Sequence, residues 1–238
     1  VADFRRLVTG ERVEAVIAAL SSSHCLAMSP VAEELKTLMV MWNCDSHQVF
    51  LNRRFRYVFR TNSNTIPEFM AYAIYLIQSK PDIRRIAIIN PDYAFGHDAA
   101  LIFRETVARL KPEVQVVAQL FPRLGQPSFH VEISRLFASR ADVIFSNLWG
   151  GDLVTFMSQA LAQGLFRGRT VILALGETVL ERFGREFPEG VIVGVLGDGY
   201  YNTPTARANA ETQRLVRLYR ERFGASPVFP AFKMANTI

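Results

Sequence analysis

Short, uninterrupted apolar runs alternate with longer helix-like stretches along the chain, and this alternation limits the folds open to it. Examples are the segments 85–90, 143–147 and 170–174, which read RIAIIN, VIFSN and TVILA. Strands of a parallel sheet are covered on both faces, so they are typically continuous apolar runs. Repeated strand–helix–strand units join such strands by right-handed crossovers. The sequence therefore predicts an α/β fold of doubly wound parallel sheets.

Polar loops follow several of these runs, and they are the places where a ligand is expected. In open α/β sheets, ligands bind in the crevice beyond the carboxyl ends of the strands. A serine turn at 21–23 and a polar loop at 43–48 follow early runs, and further loops follow the runs that end at Asn90, Asn147 and Ala174. These loops are therefore predicted to contain the ligand-binding residues.

The positive charge of the chain does not by itself indicate a nucleic-acid partner. The formal net charge is +5 and the isoelectric point is about 9.5. Most arginines lie in helical stretches beside acidic residues, as Arg182 follows Glu181, which is typical of a solvated helix face. No DNA- or RNA-binding motif accompanies the charge, and no apolar run approaches the roughly 20 residues of a membrane helix. We expect a globular protein that binds no nucleic acid.

Signatures of catalysis are also missing from the sequence. It contains no G-x-S-x-G nucleophile elbow, no phosphate-binding P-loop and no G-x-G-x-x-G dinucleotide fingerprint. The histidines are scattered along the chain, at His24, His47, His97 and His130. The sequence therefore predicts no catalytic residue, no cofactor and no enzymatic activity.

The cysteines, Cys25 and Cys44, leave two structural alternatives open. They lie near His24, Asp45 and His47, so a metal site is one alternative, although the C-x-x-C spacing of many zinc sites is missing. A disulfide is the other alternative, and it would suit an exported protein. Spacing alone does not establish the pairing. We expect no metal site at these residues, and the disulfide stays open.

Five stretches of the sequence, taken in chain order, are similar to one known family. They are VEAVIAALSSSHCLAMSPVAEE at 13–34, YVFRTNSN at 57–64, IAIINPDYAFGHDAA at 86–100, ADVIFSNLWGGDLVTFMSQALAQGL at 141–165 and FGASPVFPAFKMANTI at 223–238. The ordered set resembles the type I periplasmic binding proteins of the Leu/Ile/Val-binding protein family. Members of that family are the solute receptors of ATP-driven importers.

The resemblance implies two doubly wound lobes joined by a hinge. Lobe one would contain residues 1–61 and 197–238, and lobe two would contain residues 62–196. Lobe one would then hold few strands for its helices, and the sequence starts and stops within predicted helices. We therefore expect a fragment of a longer chain, with a further strand before Val1 and more chain after Ile238.

By the same resemblance, the protein would be an exported, periplasmic monomer that delivers its ligand to the membrane permease of an ABC transporter. The expected ligand is an amino acid or a small, possibly aromatic carboxylate, clasped by hinge closure. A ligand-sensing domain of a regulator or receptor with this fold stays open as an alternative. An α/β enzyme is a weaker alternative.

In lobe one, the resemblance points to the serine turn and to the loop after the next strand. The family serine that matches Ser22 holds the ligand carboxylate, and Ser23 lies beside it at a helix start, where unpaired N–H groups favour an anion. Helix capping by these serines is the alternative. Asn43, Cys44 and Asp45 match a loop where the family uses backbone groups and Ser or Thr. Asp45 is expected to meet an ammonium or hydroxyl of the ligand, unless it forms an Asx turn or a cap.

In lobe two, the resemblance points to aromatic and acidic loop residues. Tyr93 and Phe95 follow the strand that ends at Asn90, and they either stack on the ligand or anchor the loop. Trp149 matches an aromatic residue that covers the ligand in the family. Glu177 matches an acidic residue that pairs with a ligand ammonium, with a surface position as the alternative. Tyr200 lies where the chain would cross back to lobe one.

Overall fold

The computed structural model describes residues 1–18, 20–51, 53–196, 204–235 and 237–238. The chain divides into two compact units, which are Val1–Thr65 with Gly197–Ile238 (the first unit) and Ile66–Leu196 (the second unit). Each unit contains one parallel sheet with α-helices, so the predicted α/β fold is confirmed. Thr65 is the last residue of the N-terminal segment of the first unit, and its backbone N–H donates to Asp45 O at 2.8 Å.

The described strands and helices follow one another as the apolar runs indicate. The strands are β1 (Ala15–Ala18), β2 (Leu38–Met41), β3 (Val58–Arg60), β4 (Arg85–Ile89), β5 (Gln115–Leu120), β6 (Val143–Ser146), β7 (Thr170–Leu173) and β8 (Ile192–Val193). The α-helices are α1 (Ala2–Arg5), α2 (Ser22–Glu34), α3 (Gln48–Leu51), α4 (Thr65–Ser79), α5 (Ala94–Leu110), α6 (His130–Ala138), α7 (Gly150–Ala162), α8 (Leu180–Phe183), α9 (Pro204–Ala208), α10 (Ala210–Phe223) and α11 (Phe229–Ala235). A π-helical turn continues α1 to Gly10, and 3-10 turns flank α8.

The sheet of the first unit has the strand order β1-β2-β3, with all neighbours parallel. One face is buried, because Met39, Met41 and Val58 pack in one core cluster with Cys25 of α2. The opposite face carries apolar residues in register, since Val40 pairs with both Ile17 and Phe59. Ile17 is 47% exposed and Phe59 is 53% exposed, so the two faces of this sheet differ sharply in burial.

The sheet of the second unit has the order β5-β4-β6-β7-β8, again with parallel neighbours. Successive residues of β6 supply opposite faces. Ile144 packs in the cluster formed with Phe156 of α7. Phe145 lies on the other side, with ring centroids 4.0 Å from Phe103 of α5 and 5.9 Å from Phe69 of α4. Helices on both faces explain why this strand is a continuous apolar run.

The order of these strands creates a switch point in the second unit. From β4 the chain crosses to β5 on one side and then returns to β6 on the other side of β4. The loops after β4 and β6 therefore lead away in opposite directions, which opens a crevice beyond the carboxyl ends of the two strands. This crevice is the usual ligand position in a doubly wound sheet. It is lined by the loops that follow Ile89 and Ser146.

Two element boundaries differ from the sequence prediction. The helix-like pattern from about Thr205 to Phe223 predicts a single helix, but the chain breaks between α9 and α10. The break occurs because Asn209 caps α10, with its Oδ1 accepting from Thr212 N at 3.0 Å. The apolar run from Val191 to Leu196 predicts one strand, whereas β8 is limited to the residues that pair with β7.

Candidate ligand-binding site

The serine turn of the first unit joins two loops at the carboxyl end of its sheet. Ser21 is the N-cap of α2, because its Oγ accepts from His24 N at 3.4 Å. Ser22 is the first helical residue and is 2% exposed, and its Oγ accepts from Ser46 N at 3.2 Å. Ser23 is exposed. Capping is thus the role of Ser21, while Ser22 fixes the turn after β1 to the loop after β2.

The loop after β2 contains a buried ion pair that was not expected from the sequence. Lys233 of α11 donates from Nζ to Asp45 Oδ1 at 2.8 Å and to Asn43 Oδ1 at 2.9 Å. Asn43 donates in turn from Nδ2 to Leu20 O at 2.9 Å. Asp45 is 4% exposed and Lys233 is 7% exposed. The carboxylate that was expected to meet an ammonium of the ligand is therefore already paired with an ammonium of the protein.

The cysteines settle the alternative that the sequence left open. Cys25 and Cys44 form a disulfide with a Cα–Cα distance of 6.1 Å, and both are fully buried. Neither sulfur is therefore a thiolate that could bind a metal. The disulfide links Cys44 in the loop after β2 to Cys25 of α2, and the Cys44 carbonyl accepts from Arg60 Nη1 at 3.3 Å. Among the described residues, no cluster of three or more His, Cys, Asp or Glu side chains could hold a metal ion.

In the second unit, the expected aromatic residues meet at the switch point. Tyr93 is the N-cap residue of α5 and Trp149 is the N-cap residue of α7, and both are half-buried. Trp149 donates from Nε1 to Tyr93 Oη at 3.1 Å. These helix starts present backbone N–H groups and the positive end of the helix dipole. The crevice therefore combines aromatic surface with a local preference for negative charge.

Two asparagines that the sequence reading did not single out hold these loops together. Asn90 accepts at Oδ1 from Asn147 N at 3.0 Å and donates from Nδ2 to Gly96 O at 3.0 Å. Asn147 donates from Nδ2 to Phe95 O at 3.4 Å. Both side chains are fully buried. A polar residue at the end of an apolar run, as in RIAIIN and VIFSN, is the sequence signal that could have identified them.

Phe95 lies beneath this crevice rather than at its surface. It is 4% exposed, and its ring centroid is 5.6 Å from that of Phe69 and 6.1 Å from that of Tyr93. Burial of this kind favours the loop-anchor alternative for Phe95. Gly96 follows it where a Cβ would collide with the Pro91 carbonyl, so only glycine permits this tight turn into α5.

Glu177 is buried beyond the end of β7, not on the surface. It is 1% exposed and lies in the 3-10 turn Gly176–Val179. Nearby, Tyr72 donates from Oη to Ala174 O at 3.2 Å. Burial raises the pKa of Tyr72, and the carboxylates of Glu68 and Glu177 raise that pKa further. Tyr72 therefore keeps its proton beside the acidic side chain of Glu177 at this edge of the sheet.

The remaining expected site residue, Tyr200, lies outside the described residues. Two further residues, Lys233 and Tyr72, lie next to candidate site residues and were not predicted from the sequence. Lys233 is the one charged residue in the apolar stretch VFPAFKMA, which is a recognisable signal for a buried cation with a partner.

No helix in the described part of the chain combines the length and apolar character needed to cross a membrane.

A comparison with protein-family models identifies the class of protein. The model of the periplasmic binding protein family matches residues 1–237. The chain therefore belongs to the periplasmic binding protein family, as the ordered sequence stretches indicated. No match was found among curated proteins.

Solved structures share this fold at low sequence identity. A solute-binding protein of an ABC transporter from R. palustris, in complex with benzoate, has a TM-score of 0.85 and 18% identity, and the match covers 98% of this chain and 61% of that chain. For a solute-binding protein from Rhodopseudomonas palustris HaA2, in complex with p-hydroxybenzoic acid, the values are 0.80 and 21%, covering 98% and 61%. For a leucine-binding protein from Thermotoga maritima they are 0.75 and 23%, covering 98% and 63%. This chain thus spans about three fifths of the length of these structures.

Proposed function

We propose that this chain is a solute-binding receptor of an ATP-driven importer and that it binds a small carboxylate. The ligand is either an amino acid or a benzoate-like acid. Family membership supports the receptor role, and similar structures contain benzoate and p-hydroxybenzoic acid. The observation that carries the ligand class is the hydrogen-bonded Tyr93–Trp149 pair, whose residues occupy the N-cap positions of α5 and α7 at the switch point.

The chemistry of this crevice suits an aromatic carboxylate. The rings of Tyr93 and Trp149 offer a flat apolar surface for a ligand ring, which is a favourable contact beyond simple burial. The N–H groups of the two helix starts favour a carboxylate in the same crevice. An amino acid would in addition require a partner for its ammonium, for which Glu177 is the candidate.

We further propose that binding is coupled to hinge closure and that the bound form is delivered to a membrane permease. A ligand that prefers the closed state shifts the equilibrium towards it. The Cys25–Cys44 disulfide supports an extracytoplasmic location, because disulfides persist in oxidising compartments such as the periplasm. Small-angle scattering of the full-length gene product should record a smaller radius of gyration in saturating benzoate, and an unchanged radius would argue against closure.

Calorimetric titration of the full-length gene product with benzoate, p-hydroxybenzoate and leucine tests the ligand class. Saturable binding of at least one of these acids is expected. Trp149→Ala should weaken binding of an aromatic acid by about tenfold or more, since a stacked ring contact contributes on the order of 1 kcal/mol beyond its buried area. Tyr75→Ala is the matched control, because Tyr75 is a 54% exposed aromatic residue on α4. Equal losses in the two variants would contradict the proposed site.

A further inference from the structure

Positive charge is distributed unequally between the two units. The first unit contains 14 Lys and Arg residues against 9 Asp and Glu, whereas the second unit contains 13 against 13. The whole net charge of +5 therefore belongs to the first unit. A charge asymmetry of this kind is typical of proteins that contact a nucleic acid or a membrane. Because no nucleic-acid-binding motif accompanies the charge, an anionic membrane surface is the better match.

Three arginines of the first unit lie together between α3 and β3, in a segment that we call the arginine loop (Leu51 and residues 53–56). The rings of Phe50 and Phe55 close the base of this loop, edge to face, with centroids 6.0 Å apart. Both rings pack against the buried core of the first unit. Leu51 is 61% exposed, and the arginines of the loop are exposed as well. The core thus anchors the base of the loop, while its cationic and apolar side chains face solvent.

The acidic residues at the end of α2 leave these arginines uncompensated. Glu33 accepts at Oε2 from the backbone N–H groups of Arg56 at 2.9 Å and Tyr57 at 3.1 Å. Glu34 pairs instead with Arg5, at 2.6 Å. Among the residues that the structure describes, none forms an ion pair with a guanidinium group of the arginine loop. The loop is therefore held in position by its backbone and keeps its positive charges for an external partner.

The composition of the arginine loop favours phosphate headgroups as that partner. Its basic residues are all arginine, whose planar fork matches the geometry of a phosphate group. The exposed Leu51 beside them adds apolar surface, and membrane binding grows with both apolar area and attraction to anionic lipids. A stable protein partner usually covers about 800 Å² on each side, which is more than so short a loop supplies by itself.

We infer that the arginine loop is a peripheral membrane contact, in which its guanidinium groups bind the phosphate headgroups of an anionic bilayer and Leu51 enters the interface. This inference goes beyond the proposed function and does not depend on the identity of the solute. The contact would keep the receptor beside the membrane that contains the proposed permease.

Vesicle co-sedimentation of the full-length gene product tests this contact. The vesicles consist of phosphatidylcholine alone or of equal parts phosphatidylcholine and phosphatidylglycerol. At low salt the wild-type protein should bind the anionic vesicles about tenfold more strongly than the neutral ones, and added salt should weaken the binding. Absence of binding to the anionic vesicles would overturn the inference and would point to an acidic protein surface as the partner of the loop.

The double variant Arg53→Gln/Arg54→Gln should bind the anionic vesicles about tenfold more weakly than wild type, because each arginine near an anionic surface contributes roughly fivefold. The matched control is Arg182→Gln/Arg185→Gln, which removes the same charge from exposed positions of the second unit and should bind within about twofold of wild type. Equal losses in the two double variants would show a general effect of net charge and would overturn the inference.

The apolar part of the contact has its own variant. Leu51→Ser should weaken binding to the anionic vesicles by about threefold or more, since less apolar surface enters the interface. Leu218→Ser is its control, because Leu218 is a 48% exposed leucine on α10 of the same unit. Wild-type vesicle binding by Leu51→Ser would overturn the insertion of Leu51.

Two additional measurements separate this contact from other functions. Inorganic phosphate should displace the protein from anionic vesicles no better than chloride of equal ionic strength, and stronger displacement would identify a site for free phosphate instead of a membrane contact. Arg53→Gln/Arg54→Gln should retain the benzoate affinity of wild type. If the wild-type protein binds vesicles but none of the tested acids, only the proposed function fails, and the converse result overturns only the membrane contact.

Discussion

Trp149 and Tyr93 are joined by a hydrogen bond of 3.1 Å from the indole Nε1 to the phenol Oη. Each residue directly precedes a helix, and the two helices follow the neighbouring strands β4 and β6. The buried side chain of Asn90 ties the same loops together from below. The aromatic surface of the crevice is therefore held in place by the Trp149–Tyr93 hydrogen bond and by the hydrogen bonds of Asn90.

Removal of the Tyr93 hydroxyl tests how far this bond orients the indole. Tyr93→Phe should cost at most about 1 kcal/mol in the free energy of unfolding, because the half-buried indole N–H can turn to water. The fluorescence emission of Trp149 should shift to longer wavelength. This shift is measurable in a Trp42→Phe background, where Trp149 is the one remaining tryptophan. An unchanged emission spectrum would contradict a hydrogen bond between Trp149 and Tyr93. Tyr75→Phe serves as the control.

The Cys25–Cys44 disulfide should stabilise the first unit. It closes a loop with a sequence separation of 19, for which the loop-entropy model gives about 3 kcal/mol. Replacement of both cysteines by serine should therefore lower the free energy of unfolding by about that amount in a denaturant titration. A reducing agent should destabilise the wild-type protein and leave the double serine variant unchanged. Equal responses of the two proteins would show that the disulfide is absent.

Phe95 should behave as a core residue rather than as a ligand contact. Phe95→Ala removes a buried ring that packs on Phe69, and such a change costs about 3–5 kcal/mol in the free energy of unfolding. Phe95→Leu, which keeps most of the apolar volume, should cost less and leave the ligand affinity of the folded protein near wild type. A large affinity loss in Phe95→Leu at unchanged stability would instead indicate direct ligand contact.

Tyr72 should make the second unit sensitive to alkaline pH. Burial raises the pKa of the folded-state phenol, and the carboxylates of Glu68 and Glu177 add to the effect. The unfolded chain releases this proton near its ordinary pKa of about 10, while the folded protein still retains it. The free energy of unfolding should therefore decrease as the pH rises above about 10.

Tyr72→Phe should remove this part of the pH dependence, and denaturant titrations of both proteins across the alkaline range measure the difference. Glu177→Gln should lower the pKa of Tyr72 but leave it raised, because burial is the larger cause. Parallel stability curves for wild type and Tyr72→Phe above pH 10 would contradict the assignment.

Much of the second unit could be predicted from its strands. The runs RIAIIN, VIFSN and TVILA coincide with β4, β6 and β7 because both faces of these strands are covered, which leaves no polar alternation to confuse the pattern. The break at Asn209 was missed, since a capping asparagine within an amphipathic stretch also reads as a surface residue of one long helix.

The site was harder to predict because its decisive contacts are distant in sequence. Asp45 and Lys233 are separated by 188 positions, so no local pattern indicates that the carboxylate is already paired. Phe95 and Trp149 are both aromatic residues in loops after strands, yet one is buried and the other is half-exposed. The packing of Phe95 on Phe69 of α4 accounts for its burial. The ordered family stretches nevertheless predict which loops contain the candidate site.

Native mass spectrometry of the full-length gene product is the most direct measurement of the central claim, which is that this protein binds one small carboxylate. Spectra would be recorded as purified and after addition of benzoate, p-hydroxybenzoate and leucine, beside the Trp149→Ala variant. We expect a single bound acid per chain in the wild-type protein, with reduced occupancy in the variant. Absence of a bound acid in every wild-type sample would contradict the receptor assignment.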